Sequence, residues 1–325
     1  MRHLFLLILL FTQTALANPP SFWARLGSTK GEGLLALQEA QHAYRRELFD
    51  EALAKAKVAR EKAPSIEADY VYGLSLFHSS LKFNVVKPSC AEALTLLQSV
   101  QERSAVLGDE PEMHLAIGLC AAVIGEYTLA IEENSLLASH PNAKPVMTFL
   151  GFMNLGDSLM AVGDLDEAID AYLEAYIRAP REPYVSFALA VACYRNDETK
   201  AAATAIQQAL AMDPYLQTLT MAPEQTPELE ESGIIFVPEE DKLFFLAVAL
   251  AANAETGAAH SYLGEYISRA PEGRYRSIAM EAFWDVEVFS QKLTGETTSL
   301  VLPITPSPRI SAPSNGMAPK SPNTP

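Results

Sequence analysis

From Phe149 to Glu182 the apolar positions keep helical time. Phe152, Leu155 and Leu159 recur at intervals of three and four, the spacing of one helix face. A turn follows at Val162-Gly163-Asp164, and Ala168, Tyr172 and Ala175 then carry a second helix as far as Pro180, which cannot continue it. The pattern predicts two antiparallel helices. Gly156, Ala168 and Ala175 are small where the helices must approach, and Phe152, Leu155, Leu159 and Tyr172 are large enough to fill the seam between them. Prolines punctuate the other Ala-rich stretches in the same way, at Pro64, Pro141, Pro180, Pro214 and Pro271, and Pro180 to Pro214 is 34 residues. A fixed period of that length predicts a repeat architecture.

The Phe149–Glu182 unit resembles the tetratricopeptide repeat (TPR) family. Phe152, Leu155, Gly156, Ala168, Tyr172, Ala175 and Pro180 occupy that family's aromatic, Leu-Gly, Ala, aromatic, Ala and Pro positions in register. The next unit, starting at Pro183, keeps Leu189, Ala190, Ala202, Ala209 and Pro214, with Ile206 in place of an aromatic. Units starting at Glu240, Pro111 and Gly33 follow with decreasing fidelity, and the Tyr70–Arg103 segment carries an insertion, Lys82 to Pro88, between its helices. The resemblance implies an all-α, right-handed superhelical solenoid of about six helical hairpins. Arg274 to Leu293, with Ile278, Ala282, Phe283, Val286 and Phe289 toward one face, is expected to cap its open end as one amphipathic helix.

The flanks read differently. Met1-Arg2-His3, an unbroken apolar run from Leu4 to Phe11, and Ala15-Leu16-Ala17 predict a signal peptide over residues 1–17. Eight apolar residues fall short of a membrane span, so the mature chain is expected to be exported, periplasmic or secreted. A lead-in follows over 18–32, then the repeat domain over 33–295, interrupted by a loop at 215–239 that holds the apolar run Gly233 to Val237 between acidic residues. Residues 296–325 hold seven Pro and five Ser and are expected to stay disordered, since they cannot bury a core.

Charge narrows the partners. With 40 Asp+Glu against 24 Lys+Arg in 325 residues, a formal charge of -16, the chain does not suit nucleic acid, whose binders must bring cations to phosphates. Gly156-Asp157-Ser158-Leu159 resembles the nucleophile motif of a family of serine esterases and lipases, but the Asp-x-x-His that supplies the other catalytic groups there occurs nowhere. In the repeat register Gly156 and Leu159 are packing positions within a helix. Neither His-Glu-x-x-His nor Cys-x-x-Cys nor a glycine-rich phosphate loop is present, so no catalytic residue, metal or cofactor is expected. In an antiparallel array Cys90 and Cys120 come within range of each other, as a disulfide or as two buried thiols, while Cys193 is expected to be packed.

The resemblance also implies where a partner would lie. First helices of such repeats line a concave groove, which carries Met153, Met160, Tyr184, Phe187, Tyr194 and Phe244 to the inner face as apolar anchors, with Arg195 as its main cation. The unit starting at Pro111 offers Glu112 and Leu115 there. Met153 and Phe187 stand where some members place a lysine that grips a peptide carboxylate, so an apolar or amphipathic protein segment is the better expectation. The expected function is a non-enzymatic interaction scaffold. A self-assembling structural component, homo-oligomeric through the acidic loop or the Pro-rich tail, is the alternative. The apolar run in the 215–239 loop is a third possibility for the groove, as an occupant in cis.

Overall fold

The computed structural model describes residues 29–82, 86–220, 239–271 and 273–294. The signal peptide, the tail, residues 221–238 of the acidic loop and the centre of the 82–88 insertion therefore lie outside the described residues. Among the described residues the regular structure is helical throughout: α1 Thr29–Arg45, α2 Phe49–Lys62, α3 Ile66–Lys82, α4 Val86–Arg103, α5 Ala105–Gly108, α6 Pro111–Ile124, α7 Tyr127–Ser139, α8 Pro145–Val162, α9 Leu165–Arg178, α10 Pro183–Arg195, α11 Thr199–Met212, α12 Gln217–Thr220, α13 Glu239–Ala252, α14 Thr256–Arg269, α15 Arg276–Trp284 and α16 Val286–Thr294. This is the all-α hairpin architecture expected from the repeat pattern. The stretch read as one repeat domain divides into two compact units, residues 1–133 and 134–325, with the boundary inside α7.

Five hairpins among the described residues turn by the same device. One residue after the first helix enters the left-handed region, at Glu47, Gly125, Gly163, Asp197 and Ala254, with φ between 60° and 91°. The amide that follows it bonds back five residues, as Asp164 N–H to the Leu159 carbonyl, Glu198 to Cys193 and Glu255 to Leu250. That closure satisfies carbonyls the helix end would otherwise orphan. Gly163 and Asp197 are 34 positions apart, so the period read from the prolines is also the period of the turns. Second helices end in a matching way. Ala63, Ala179, Asp213 and Ala270 close α2, α9, α11 and α14 in a shared non-helical conformation with ψ of 68–70°, each directly before a proline that disfavours the helical one. Proline then opens α6, α8 and α10 at the first turn, where its missing N–H costs nothing.

In the N-terminal unit α1 pairs with α2 and α3 with α4, and α4 packs on α6. Ala40, Ala56 and Val71 are buried together, an alanine-rich seam that lets the helices approach closely. In the C-terminal unit α8 pairs with α9, α10 with α11 and α13 with α14. Gly156 is needed here: a Cβ at that position would sit 2.6 Å from the Tyr172 ring, which crosses the seam. Ala168, Tyr172, Ala175, Ala202 and Ala209 are fully buried and Leu155 nearly so. Phe152 lies at the margin under the Arg178 guanidinium, 4.2 Å from its ring centre, and Pro180 and Pro214 are exposed beyond the helix ends. By length and composition α8 could cross a membrane, yet 61% of it is buried inside its own unit, as befits the core helix of a hairpin.

Two expectations change. The 82–88 insertion is not a plain loop, since α3 runs to Lys82 and α4 starts at Val86. The cap is two helices rather than one, because Asp285 ends α15 and its carboxylate then accepts the Val288 amide, 3.1 Å, opening α16. α16 turns Phe289 and Leu293 inward and α15 stacks Phe283 on His260 of α14, while Trp284 is left 80% exposed.

Candidate functional site

The first helices of the C-terminal unit bring the predicted anchors to one face, and that face is full. Met153, Met160, Phe187 and Phe244 have no exposed surface and Tyr184 almost none, which corrects their reading as open anchors: they are core. The occupant is the connection between α14 and α15. Tyr275 stacks on Phe244 with ring centres 4.7 Å apart and 11° between planes, and meets Phe245 edge-on at 5.6 Å. Its neighbour Arg274 donates from Nε to Asp241 Oδ2 at 2.8 Å and from Nη1 to the Asp157 carbonyl at 3.3 Å. Tyr172 donates to Asp157 Oδ1 at 2.6 Å, and Tyr266 both receives the Tyr275 amide at 3.0 Å and donates to Asp241. Tyr194 stays partly exposed but meets Phe289 of α16 edge-on at 5.1 Å. Arg195, expected as the groove's cation, turns back to the Met160 carbonyl at 2.6 Å.

Electrostatics explain why an arginine is there. Burial raises the pKa of Asp157 and of Asp241, and Arg274 opposes that rise in both. Burial acts to lower the Arg274 pKa, but Tyr275, Asp241 and Asp157 outweigh it and hold the guanidinium well above its ordinary value. Arg195 is lowered by burial. The guanidinium pairs directly with the Asp241 carboxylate, while the Asp157 carboxylate, held by the Tyr172 hydroxyl, feels it at longer range.

The N-terminal unit presents a different inner face. Glu112, on the first turn of α6, accepts the Tyr44 hydroxyl at 2.5 Å and lies 3.3 Å from His78 Nε2, both at Oε1. Phe49 stacks on the His78 ring at 4.3 Å and 12°, while Tyr44 and Phe77 meet that imidazole edge-on. Burial, then the Glu112 charge, raise the Tyr44 pKa; for Tyr70 the causes are burial, Glu112 and Glu110. Tyr44, Phe49 and Tyr70 keep part of their surface in solvent, and the Glu112 side chain is 37% exposed. Of this cluster the repeat register alone had pointed to Glu112. Tyr44 and His78 were within its reach as well, near the ends of α1 and α3, but the weak repeat match there hid them.

Other sequence candidates resolve into packing. Ser158 lies buried in mid-helix and donates to the Asn154 carbonyl at 2.8 Å, not on the exposed strand-to-helix turn a hydrolase nucleophile needs. Cys90 and Cys120 are buried free thiols joined by a hydrogen bond rather than a disulfide. Cys193 is buried, its thiol pushed up to about 12 by desolvation.

Residues 153–216, from α8 into the turn after α11, match the tetratricopeptide repeat family. That segment of the chain is similar to tetratricopeptide repeats. Similar solved structures include MamA MSR-1, 20% identical over 56% of this chain and 97% of that one, TM-score 0.47. MamA from Desulfovibrio magneticus RS-1 is 20% identical over 56% and 96%, TM-score 0.45. YrrB, described as a TPR protein with an unusual peptide-binding site, is 17% identical over 60% and 93%, TM-score 0.48. No curated protein matches the chain.

Proposed function

We propose that this TPR chain is a non-enzymatic, exported scaffold that holds a segment of a protein partner on the inner helix faces of its N-terminal unit. The observation that carries this is a contrast of burial. In the C-terminal unit the inner face is filled from within by Arg274, Tyr275 and α16, so Met153, Phe187 and Phe244 serve stability. In the N-terminal unit Tyr44, Tyr70 and Glu112 retain solvent-exposed surface on the corresponding first helices, as does Phe49 at the start of α2. Aromatic side chains with one polar end make strong anchors at interfaces, because they bury area at little entropic cost.

The test is photo-crosslinking in the cell from a reactive amino acid at position 70, with position 194 as the internal comparison. A discrete foreign protein trapped at 70, with 194 joined only to α16 of its own chain, is the expected result. Crosslinks at 70 that stay within the chain would overturn the reading. Crosslinks between copies would replace it with self-assembly. That second reading draws on Met280, Trp284 and Val288, apolar residues four apart that are all exposed on the α15–α16 cap. Light scattering on the full chain and on Trp284→Ser distinguishes it.

A further inference from the structure

Two of the three cysteines meet inside the N-terminal unit. Cys90 lies on α4 and Cys120 on α6, helices that pack on each other, and neither side chain has any exposed surface. Both are free thiols, and they hydrogen-bond each other. Ala93 on α4 and Ala116 on α6 are wholly buried as well, small residues that allow the two backbones a close approach. Cys193 is buried in the C-terminal unit.

We infer that Cys90 and Cys120 form a disulfide site, present in this structure as its two thiols, which a disulfide oxidant converts into a covalent staple between α4 and α6. The inference takes its oxidising surroundings from the exported reading above and adds a modification that reading does not contain. Two sulfurs already in hydrogen-bond contact need only a small further approach to reach the bond length of about 2.0 Å. In the first step one cysteine thiolate attacks the oxidant R–S–S–R, breaking its S–S bond, forming a mixed disulfide and expelling R–S⁻. The second cysteine then attacks the protein sulfur of that mixed disulfide, forms the Cys90–Cys120 bond and expels the second R–S⁻. The cysteine pair is oxidised by two electrons, the oxidant is reduced to two R–SH, and those two thiols carry away the two cysteine protons. Packing sets the occasion for this. Burial shields both thiols from the oxidant, and the Cys90 hydrogen bond together with burial holds Cys120 well above the usual thiol range, so exchange belongs to folding or to an opening of α4 from α6. The closed unit then keeps the state it was given. Positions 90 and 120 are 30 apart, so the bond closes a long loop and ties the helix that follows the 82–88 insertion to the helix that carries Glu112.

The test uses the full chain, purified reduced. One portion is unfolded in urea and refolded in a buffer of oxidised and reduced glutathione, and a second meets the same buffer without being unfolded; both are then denatured, alkylated, digested and mapped by mass spectrometry. The refolded portion should give linked peptides carrying Cys90 and Cys120, lighter by two hydrogens, with Cys193 alkylated, while the native portion should stay reduced. Opening of the seam, read by hydrogen exchange in peptides from 86–103 and 111–124, should be rarer in the oxidised chain by roughly one and a half to three powers of ten. Cys120→Ala should remove that redox dependence. Alkylated Cys90 and Cys120 after refolding, a bond from either to Cys193, or glutathione retained on one of them overturns the site, with no variant having to fold. So does a redox dependence that survives Cys120→Ala. The same mapping on chain recovered from cells separates the site from the exported reading: a pair oxidised on refolding but reduced in the cell leaves the site standing and removes export, whereas two free thiols in both samples remove the site.

Discussion

Arg274 is the residue whose loss the C-terminal unit should tolerate least. Its guanidinium is 15% exposed and its partner Asp241 only 6%, so Arg274→Met keeps most of the side-chain volume and leaves a carboxylate buried without its counter-ion. Removing one partner of a buried pair costs about 3–5 kcal/mol. Since each 1.4 kcal/mol is tenfold in an equilibrium, opening of α13 and α14 should become more frequent by roughly two to three and a half powers of ten. Hydrogen exchange followed by mass spectrometry reads that locally, in peptides from 239–252 and 256–269. The dependence on pH has a definite sign. Asp241 already titrates above its ordinary value of 3.8 because burial penalises the charged form, so folding favours the protonated acid. Its stabilising contribution is complete below that ordinary value and is lost as pH rises through the higher folded one. Arg274 opposes the rise, so removing it widens the window upward. The deficit of the variant should therefore be largest at neutral pH and shrink on acidification. A second change, Asp241→Leu, should recover most of the loss, because an apolar pair of similar size needs no counter-ion. An exchange increase below about tenfold at neutral pH, or a deficit that grows on acidification, would refute the ion-pair account.

Other consequences are narrower. Gly156→Ala drives a Cβ to within 2.6 Å of the Tyr172 ring and should cost about 1–3 kcal/mol of overpacking, read as a lower melting temperature. Ala254→Gly relieves a non-glycine residue at φ 60° and should stabilise the α13–α14 turn by roughly 0.5–1 kcal/mol in urea unfolding. Cys193, its thiol near 12, should resist iodoacetamide at pH 8 in the native chain and react once it is unfolded.

How much of this was legible beforehand depends on the kind of signal. Helix positions follow from local rules, so the turn at Gly163, the proline stops at Pro64, Pro180 and Pro214 and the tight seam at Gly156 are all written within one unit of sequence. The filled groove is not, because it depends on Arg274 reaching Asp157, 117 positions away. No periodicity marks Arg274 as a core residue, and its charge argues for the surface. The break in the cap was hidden for a related reason: Val286 and Phe289 continue the apolar spacing of the preceding helix, and only the Asp285 side chain, capping Val288, restarts the phase. The Tyr44–Glu112 contact joins residues 68 apart on two weakly matching units, where the register was faintest.

The two inner faces answer one physical problem in opposite ways. Stacking hairpins forces the first helices to line a common face, and where those positions are Met, Phe and Tyr the face cannot remain in water without cost. The C-terminal unit meets this by folding its own α14–α15 connection onto it, which brings Arg274 to the buried Asp241 carboxylate. The cap therefore does more than close a hydrophobic end: it delivers the counter-ion that makes an acidic, aromatic face stable. In the N-terminal unit the cluster joins aromatic rings to Glu112, and exposed surface remains on the carboxylate and on three of the rings. A carboxylate that is a third exposed incurs little desolvation penalty, whereas one as buried as Asp241 needs its counter-ion at hand. That difference in exposure is why one face is permanent core while the other keeps its polar and aromatic edges in water.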